Sequence, residues 1–198
     1  MNMPSPVGHT LAGICGFYLA YPKIPKTRRI AALFTAIFVA NSPDLDIFPG
    51  LILYQDPSIL HRQATHSFIV AIFIGCLVTG IVYLLKIKNY HWMGLWFGGL
   101  YTSHIVLDLL VTDDGFPHGL QAFWPITLDY FISPLTIFNG FDYATSGLTM
   151  LQSMMTFNNL IGTLKELAIL MPLVWFAWIF AMKATKIAQQ KSHFSRLM

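Results

Sequence analysis

The stretch from Ser67 to Leu85 contains no charged residue and stops at Lys86 and Lys88. A helix rises about 1.5 Å per residue and the hydrocarbon core of a bilayer is about 30 Å thick, so a run of this length fits a membrane-spanning helix. His91 to Val111 is a second such segment, apolar apart from a few polar residues near its far end. Leu167 to Met182 is a third, slightly short but followed by Lys183 and Lys186, whose long side chains can reach the interface. Val7 to Tyr21 and Ile30 to Asn41 are shorter, each stopped by a proline, Pro22 or Pro43. Composition agrees with these runs: 55% of the 198 residues are hydrophobic and 11% charged, with mean hydropathy +0.58, against about 25% charged in a soluble domain. Disorder is excluded, and the composition weighs against an ordinary soluble fold. Cys15 and Cys76 both lie inside apolar segments, which gives no support to a disulfide framework or a thiolate metal site. No Lys or Arg precedes the first apolar stretch, so it lacks the basic region of a cleavable signal peptide and is expected to be retained.

The expected fold is an all-α, polytopic transmembrane bundle of about five segments forming a single membrane domain over residues 1–198. Orientation follows the basic residues, which are enriched in cytoplasmic loops. Lys23, Lys26, Arg28 and Arg29 lie between the first two segments, Lys86 and Lys88 between the third and fourth, and Lys183, Lys186, Lys191 and Arg196 after the fifth. An N-terminus outside and a C-terminus in the cytoplasm place all of these inside, leaving Arg62 and Lys165 on the outer side. These short clusters form no long basic stripe, so nucleic-acid binding is not expected. Between Thr112 and Lys165, Pro, Gly and polar residues interrupt the pattern. Phe123 to Phe138 is apolar but carries Pro125, Asp129 and Pro134, as in an interfacial or re-entrant segment. The C-terminal helix is expected over about 166–183.

Under this topology, four distant stretches bring His and Asp to one membrane face. They are His9; Asn41-Ser42-Pro43-Asp44-Leu45-Asp46; His61-Arg62-Gln63-Ala64-Thr65-His66-Ser67; and His104 with Asp108, followed by Thr112, Asp113, Asp114, Gly115 and His118. His104 and Asp108 are four apart on a helix and share a face, with Thr112 continuing the stripe. Such a pair can bind one metal ion or simply pack against itself. His104 lies roughly 10 Å inside the end of its segment, where an ionisable group is costly unless paired, hydrated or ion-bound, and this favours function. Asp44 and Asp46 repel unless a cation lies beside them, although Asp is also a good helix cap. On an unbroken helix His61 and His66 would not face alike, whereas Arg62 and His66 would. Alternatively, His61 lies on the loop that Pro57 and Ser58 introduce. Ser67 is a candidate helix cap. His91 and His193 read as surface histidines, and Asp56, Asp129, Asp142 and Glu166 receive no role.

Imidazoles and carboxylates without thiolates suit a divalent metal, zinc or manganese foremost, with room for one or two ions. Such an ion lowers the pKa of a bound water and polarises a phosphoryl or carbonyl oxygen. The planar guanidinium of Arg62 suits a phosphate. No His-Glu-x-x-His helix, Gly-x-Ser-x-Gly elbow or P-loop is present. The motifs resemble those of the YdjM-like, LexA-binding, inner-membrane-associated family of metal-dependent hydrolases: a His near the N-terminus (His9), Pro-Asp-x-Asp (Pro43 to Asp46), His-Arg-x-x-Thr-His-Ser (His61 to Ser67) and His-x-x-x-Asp (His104 to Asp108). Gly115 and Trp124-Pro125 are similar to elements that follow in that family, so the resemblance covers about residues 9–125. It implies a metal-dependent hydrolase of the bacterial inner membrane.

The expected metal ligands are His9, Asp44, Asp46, His61, His66, His104 and Asp108, with Asp44, His66 and Arg62 in catalysis and Arg62 holding substrate phosphate. A site near the headgroup layer makes a phospholipid or other lipid-linked phosphoester the simplest substrate. A divalent-cation transporter or channel and a non-catalytic scaffold with a structural metal are the alternatives. Association into an oligomer is one way to complete the pocket or a pore.

Overall fold

The computed structural model describes residues 2–113, 117–142, 152 and 155–194. Its helices are α1 (Pro6–Ala20), α2 (Arg29–Asn41), α3 (Ile47–Tyr54), α4 (Phe68–Leu84), α5 (Tyr90–Leu109) and α6 (Phe157–Phe194). α1 opens with Pro6 in the first turn, where a missing N–H costs nothing, and passes into a 3-10 turn, Tyr21–Lys23, at Pro22. Ser67 caps α4, its hydroxyl accepting the Ile69 N–H at 3.1 Å. α6 runs through Pro172 without ending.

The second apolar segment does not stop at Pro43. The chain stays helical through a 3-10 turn, Ser42–Asp46, and continues as α3. Proline at the start of such a turn removes no needed hydrogen bond, so it redirects the helix without breaking it. Lys26–Tyr54 is therefore one apolar helical stretch long enough to cross a membrane, and Phe157–Gln190 is another. α4 is a shorter apolar helix. The described residues 110–113 and 117–142 after α5 contain no helix: Val111 bridges Phe138 and Leu120 bridges Phe131, while Asn2–Met3 pairs antiparallel with Phe141–Asp142.

α1 lies at the centre, packed against α2, α5 and α6, and α4 packs along α5. Phe17, Ala36, Leu100, Tyr101 and Ile105 form one buried cluster, and Leu11, Leu107, Val111, Phe138 and Leu170 another. Many large apolar side chains face outward, including Ile72, Phe73, Leu84, Leu95 and Trp175. A soluble domain seldom exposes so much apolar surface, whereas a helix bundle in lipid presents it to acyl chains.

Contacts define two ends of the bundle. At one end the Lys23 ammonium sits 4.0 Å over the Trp92 ring, joining the end of α1 to the start of α5. At the other, the start of α1, the end of α2 and the end of α5 meet. α6 runs alongside α1 in the same direction, since Ser5 meets Glu166 and Cys15 approaches Leu173.

α4 and α5 approach closely at glycine. A Cβ at Gly94 would collide with Thr79 Oγ1 and stand 2.5 Å from the Gly75 carbonyl oxygen, the small-residue contact by which membrane helices pack. Gly94→Leu is expected to destabilise the bundle by about 1–3 kcal/mol, in the range of an overpacked interior, read as a lower melting temperature in detergent. Gly80→Ala, whose Cβ meets nothing within 4 Å, should show no loss. Equal melting of the two variants would remove this account of the α4–α5 seam.

Candidate metal centre

Five pieces of chain deliver polar side chains to the end of the bundle opposite Lys23. His9 comes from the first turns of α1, Asp44 and Asp46 from the 3-10 turn after α2, and His104 and Asp108 from α5. His61 lies on the loop before α4, and His66 closes a short 3-10 turn, Ala64–His66. His9, His66 and His104 are fully buried, and His61, Asp46 and Asp108 nearly so. Asp44 alone of the seven retains a partly exposed side chain, at 19%.

These residues form one continuous set. His66 Nε2 and His104 Nε2 are 3.2 Å apart. Asp44 Oδ1 lies 3.3 Å from the first and 3.2 Å from the second. Asp108 Oδ2 lies 3.2 Å from His66 Nε2 and 3.4 Å from His104 Nε2. Its other oxygen is 3.3 Å from His9 Nε2, while the His9 ring stacks on His104 at 3.7 Å. His61 Nε2 stands farther off, 3.9 Å from Asp44 Oδ1.

The outer edges of the imidazoles are engaged separately. His104 Nδ1 donates to the Ala40 carbonyl at 2.8 Å. A carbonyl only accepts, so Nδ1 carries a proton, and in the neutral imidazole Nε2 then keeps its lone pair toward the cluster. Asp46 Oδ1 is 2.8 Å from His61 Nδ1, and Asp46 Oδ2 is 3.3 Å from His66 Nδ1. The Thr65 hydroxyl donates to Asp46 Oδ2 at 2.5 Å, and the Tyr101 hydroxyl donates to the Thr65 carbonyl at 2.7 Å. Burial pushes His61 below the ordinary imidazole pKa. Burial opposes a charged His66 too, but Asp108, Asp44 and Asp46 outweigh it and hold His66 well above that value.

This arrangement fits a divalent cation. Both His9 ring nitrogens, Asp44 Oδ1, His61 Nε2 and both Asp108 oxygens are buried with no hydrogen bond of acceptable geometry. Ligands bound at 2.0–2.2 Å in a tetrahedron stand about 3.3–3.6 Å apart, close to the spacing of Asp44 Oδ1, His66 Nε2 and His104 Nε2. Each of three groups brings its ligand atoms within 4.8 Å of one another: His9, His104 and Asp108; Asp44, His66 and His104; and Asp46, His61 and His66.

Other sequence expectations resolve differently. His61 takes the loop position, so the helical stripe joining Arg62 to His66 does not exist. Arg62 has φ of 64° and is buried, with Nη1 2.5 Å from Asp113 Oδ2. Asp113 Oδ2 also accepts the Gly119 N–H at 2.8 Å, and His118 Nδ1 lies 3.0 Å from the Asp113 carbonyl. Thr112 lies past the end of α5 and bonds Phe138 O, which ends the His104 stripe at Asp108. Asp114 and Gly115 lie outside the described residues, as does Arg196. His91 packs on the Tyr90 ring at the basic end. Thr65 stands in the His61–Ser67 motif without a role of its own there, while Tyr101 and the Ala40 carbonyl escaped sequence reasoning, since one is an ordinary helix residue and the other is backbone.

A family model described as YdjM inner membrane protein matches residues 3–186. No curated protein and no solved structure matches the chain.

His104→Ala and Asp44→Ala are each expected to lower the metal retained per chain after chelator-free purification. Elemental analysis beside a folded Lys165→Ala control checks this. Metal content unchanged in both variants would separate these motifs from any metal site.

Proposed function

The chain belongs to the YdjM inner membrane protein family, and we propose that it is a multi-pass, metal-dependent hydrolase of a phospholipid or lipid-linked phosphoester. The observation that carries this reading is the convergence of Asp44 Oδ1, His66 Nε2 and His104 Nε2 at 3.2–3.3 Å, with Asp108 against both imidazoles. Asp44, His66, His104 and Asp108 would hold a zinc or manganese ion. His9 would extend the set through the second oxygen of Asp108, and His61 through Asp44. A divalent cation supplies a Lewis acid that activates water and polarises a phosphoryl oxygen.

The remaining groups orient and bind. Asp46 faces Nδ1 of two imidazoles, so it holds the His61 and His66 rings in place in the manner of carboxylates behind metal-ligating histidines. That position suits a positioning carboxylate, while its grouping with His61 and His66 also leaves it able to hold an ion. Arg62, buried and held by Asp113, would be the group that binds substrate phosphate. The exposed edge of Asp44 marks the opening. A cleft of about 420 Å³ flanks Asp46 and Thr65, with Ser42 and Gln63 beside Leu45 and Leu60 in its wall. A wall of mixed polarity suits a molecule with a polar head and an apolar tail.

Five crossings, with α1 entering from the outside, would put the basic residues other than Arg62 and Lys165 in the cytoplasm and this opening in the outer headgroup layer. Purified protein in phospholipid nanodiscs is expected to release headgroup or phosphate, to lose that activity with EDTA and to regain it with zinc or manganese. His104→Ala should abolish it. Metal-loaded protein inert on phospholipid and lipid-linked phosphate substrates would overturn the reading, and metal flux in liposomes would replace it with transport.

A further inference from the structure

Glu166 takes no part in the cluster, yet it is buried to 2% exposure near the start of the apolar part of α6. Its carboxylate meets the beginning of α1, 161 residues earlier in the chain. Oε1 accepts the Ser5 N–H at 2.7 Å, Oε2 accepts the Ser5 hydroxyl, and the Gly8 N–H also faces it. A Cβ at Gly8 would stand 2.8 Å from Oε2, so the carboxylate lies directly against the α1 backbone.

A buried carboxylate among apolar helices is costly and persists where strong donors offset the loss of water. The first N–H groups of α1 are such donors, and the helix dipole adds favourable potential there. α1 supplies no acid of its own in the first turn, and the Ser5 side chain makes no capping bond within its own helix. The cap comes instead from α6. His9 follows Gly8 directly, and its ring nitrogens have no polar partner among the described residues beyond the 3.3 Å approach of Nε2 to Asp108 Oδ1. Its ring is therefore located by the α1 backbone and by the stack on His104. Whatever fixes the first turn of α1 fixes the approach of His9 to Asp108.

We propose that Glu166 is a positioning residue for the metal centre, clamping the first turn of α1 so that His9 reaches the Asp108 side of the cluster. The proposal rests on the metal reading above and extends the centre to α6, which carries none of the motif residues.

The test uses the full chain in nanodiscs titrated with Co(II), whose visible spectrum reports coordination. Glu166→Ala is expected to weaken cobalt binding about tenfold or more, the scale found for groups behind metal ligands, and to change the spectrum. Glu166→Gln keeps an oxygen for the Ser5 N–H and should recover most of the affinity. Ser5→Ala should fall between wild type and Glu166→Ala. Ala177→Val, a buried change farther along α6, should lower the melting temperature while leaving the cobalt spectrum alone. Wild-type affinity and spectrum in Glu166→Ala overturn the proposal. If that variant does not fold, unchanged cobalt binding in both Glu166→Gln and Ser5→Ala overturns it. Wild-type protein that binds no cobalt overturns the metal reading and this proposal with it, whereas loaded wild type beside an indifferent Glu166→Ala overturns this proposal alone.

Discussion

Three aspartates and four histidines share a space from which water is nearly excluded, and the rest of the architecture answers that cost. Each carboxylate brought from water into a low-dielectric interior loses several kcal/mol of solvation unless opposite charge or hydrogen bonds replace it. Asp46 finds two imidazole edges and the Thr65 hydroxyl. Asp44 and Asp108 find mainly imidazole Nε2 atoms, and with Nδ1 of His104 donating to Ala40, the neutral form of that ring has its lone pair on Nε2. Lone pairs then face lone pairs and carboxylate oxygens. Such a grouping of neutral rings and carboxylates repels itself, and either protons on the rings, as the raised pKa of His66 indicates, or a divalent cation would turn the same geometry into attraction.

The bundle is built to hold these atoms from several directions. His104 and Asp108 ride on one face of α5, but their partners come from α1, the turn after α2 and the loop before α4. The Ala40 carbonyl fixes His104 across the α2–α5 contact, and Tyr101 ties α5 to Thr65. A shift of any one helix would therefore move a ligand, an orienting group or both. The glycine seam of α4 and α5 and the Glu166 clasp on α1 lie at two such contacts.

Much of this was legible in the sequence. α4 and α5 were legible as helices because each carries a long apolar run, although the helices long and apolar enough to cross a membrane are Lys26–Tyr54 and Phe157–Gln190, and the clustering of the motif residues at one end followed from the order of the segments. α3 was not legible, because Pro43 and Pro49 look like stops, although the first turn of a helix tolerates proline. The Arg62–Asp113 pair depends on a positive φ at Arg62 and on the path of a nonhelical segment, neither of which has a periodic signature. Glu166 offered one weak signal, an acid beside an apolar run. Its partners at Ser5 and Gly8 are set by the parallel packing of α1 and α6, which local pattern cannot reveal.

The distribution of charge also bears on what the site can do. Between Thr10 and Ala20 of α1, Ile30 and Asn41 of α2, Phe68 and Leu84 of α4, Trp92 and Ser103 of α5, and Leu167 and Met182 of α6, the sequence has no Asp, Glu, Lys, Arg or His. Below the cluster, these segments therefore offer a passing cation hydroxyls, two thiols, methionine thioethers, backbone and apolar surface, but no carboxylate or imidazole. A conducting path needs successive sites of comparable affinity so that an ion can enter and leave. Here one end would bind strongly and the rest hardly at all, the profile of a resident ion in a pocket open to one side.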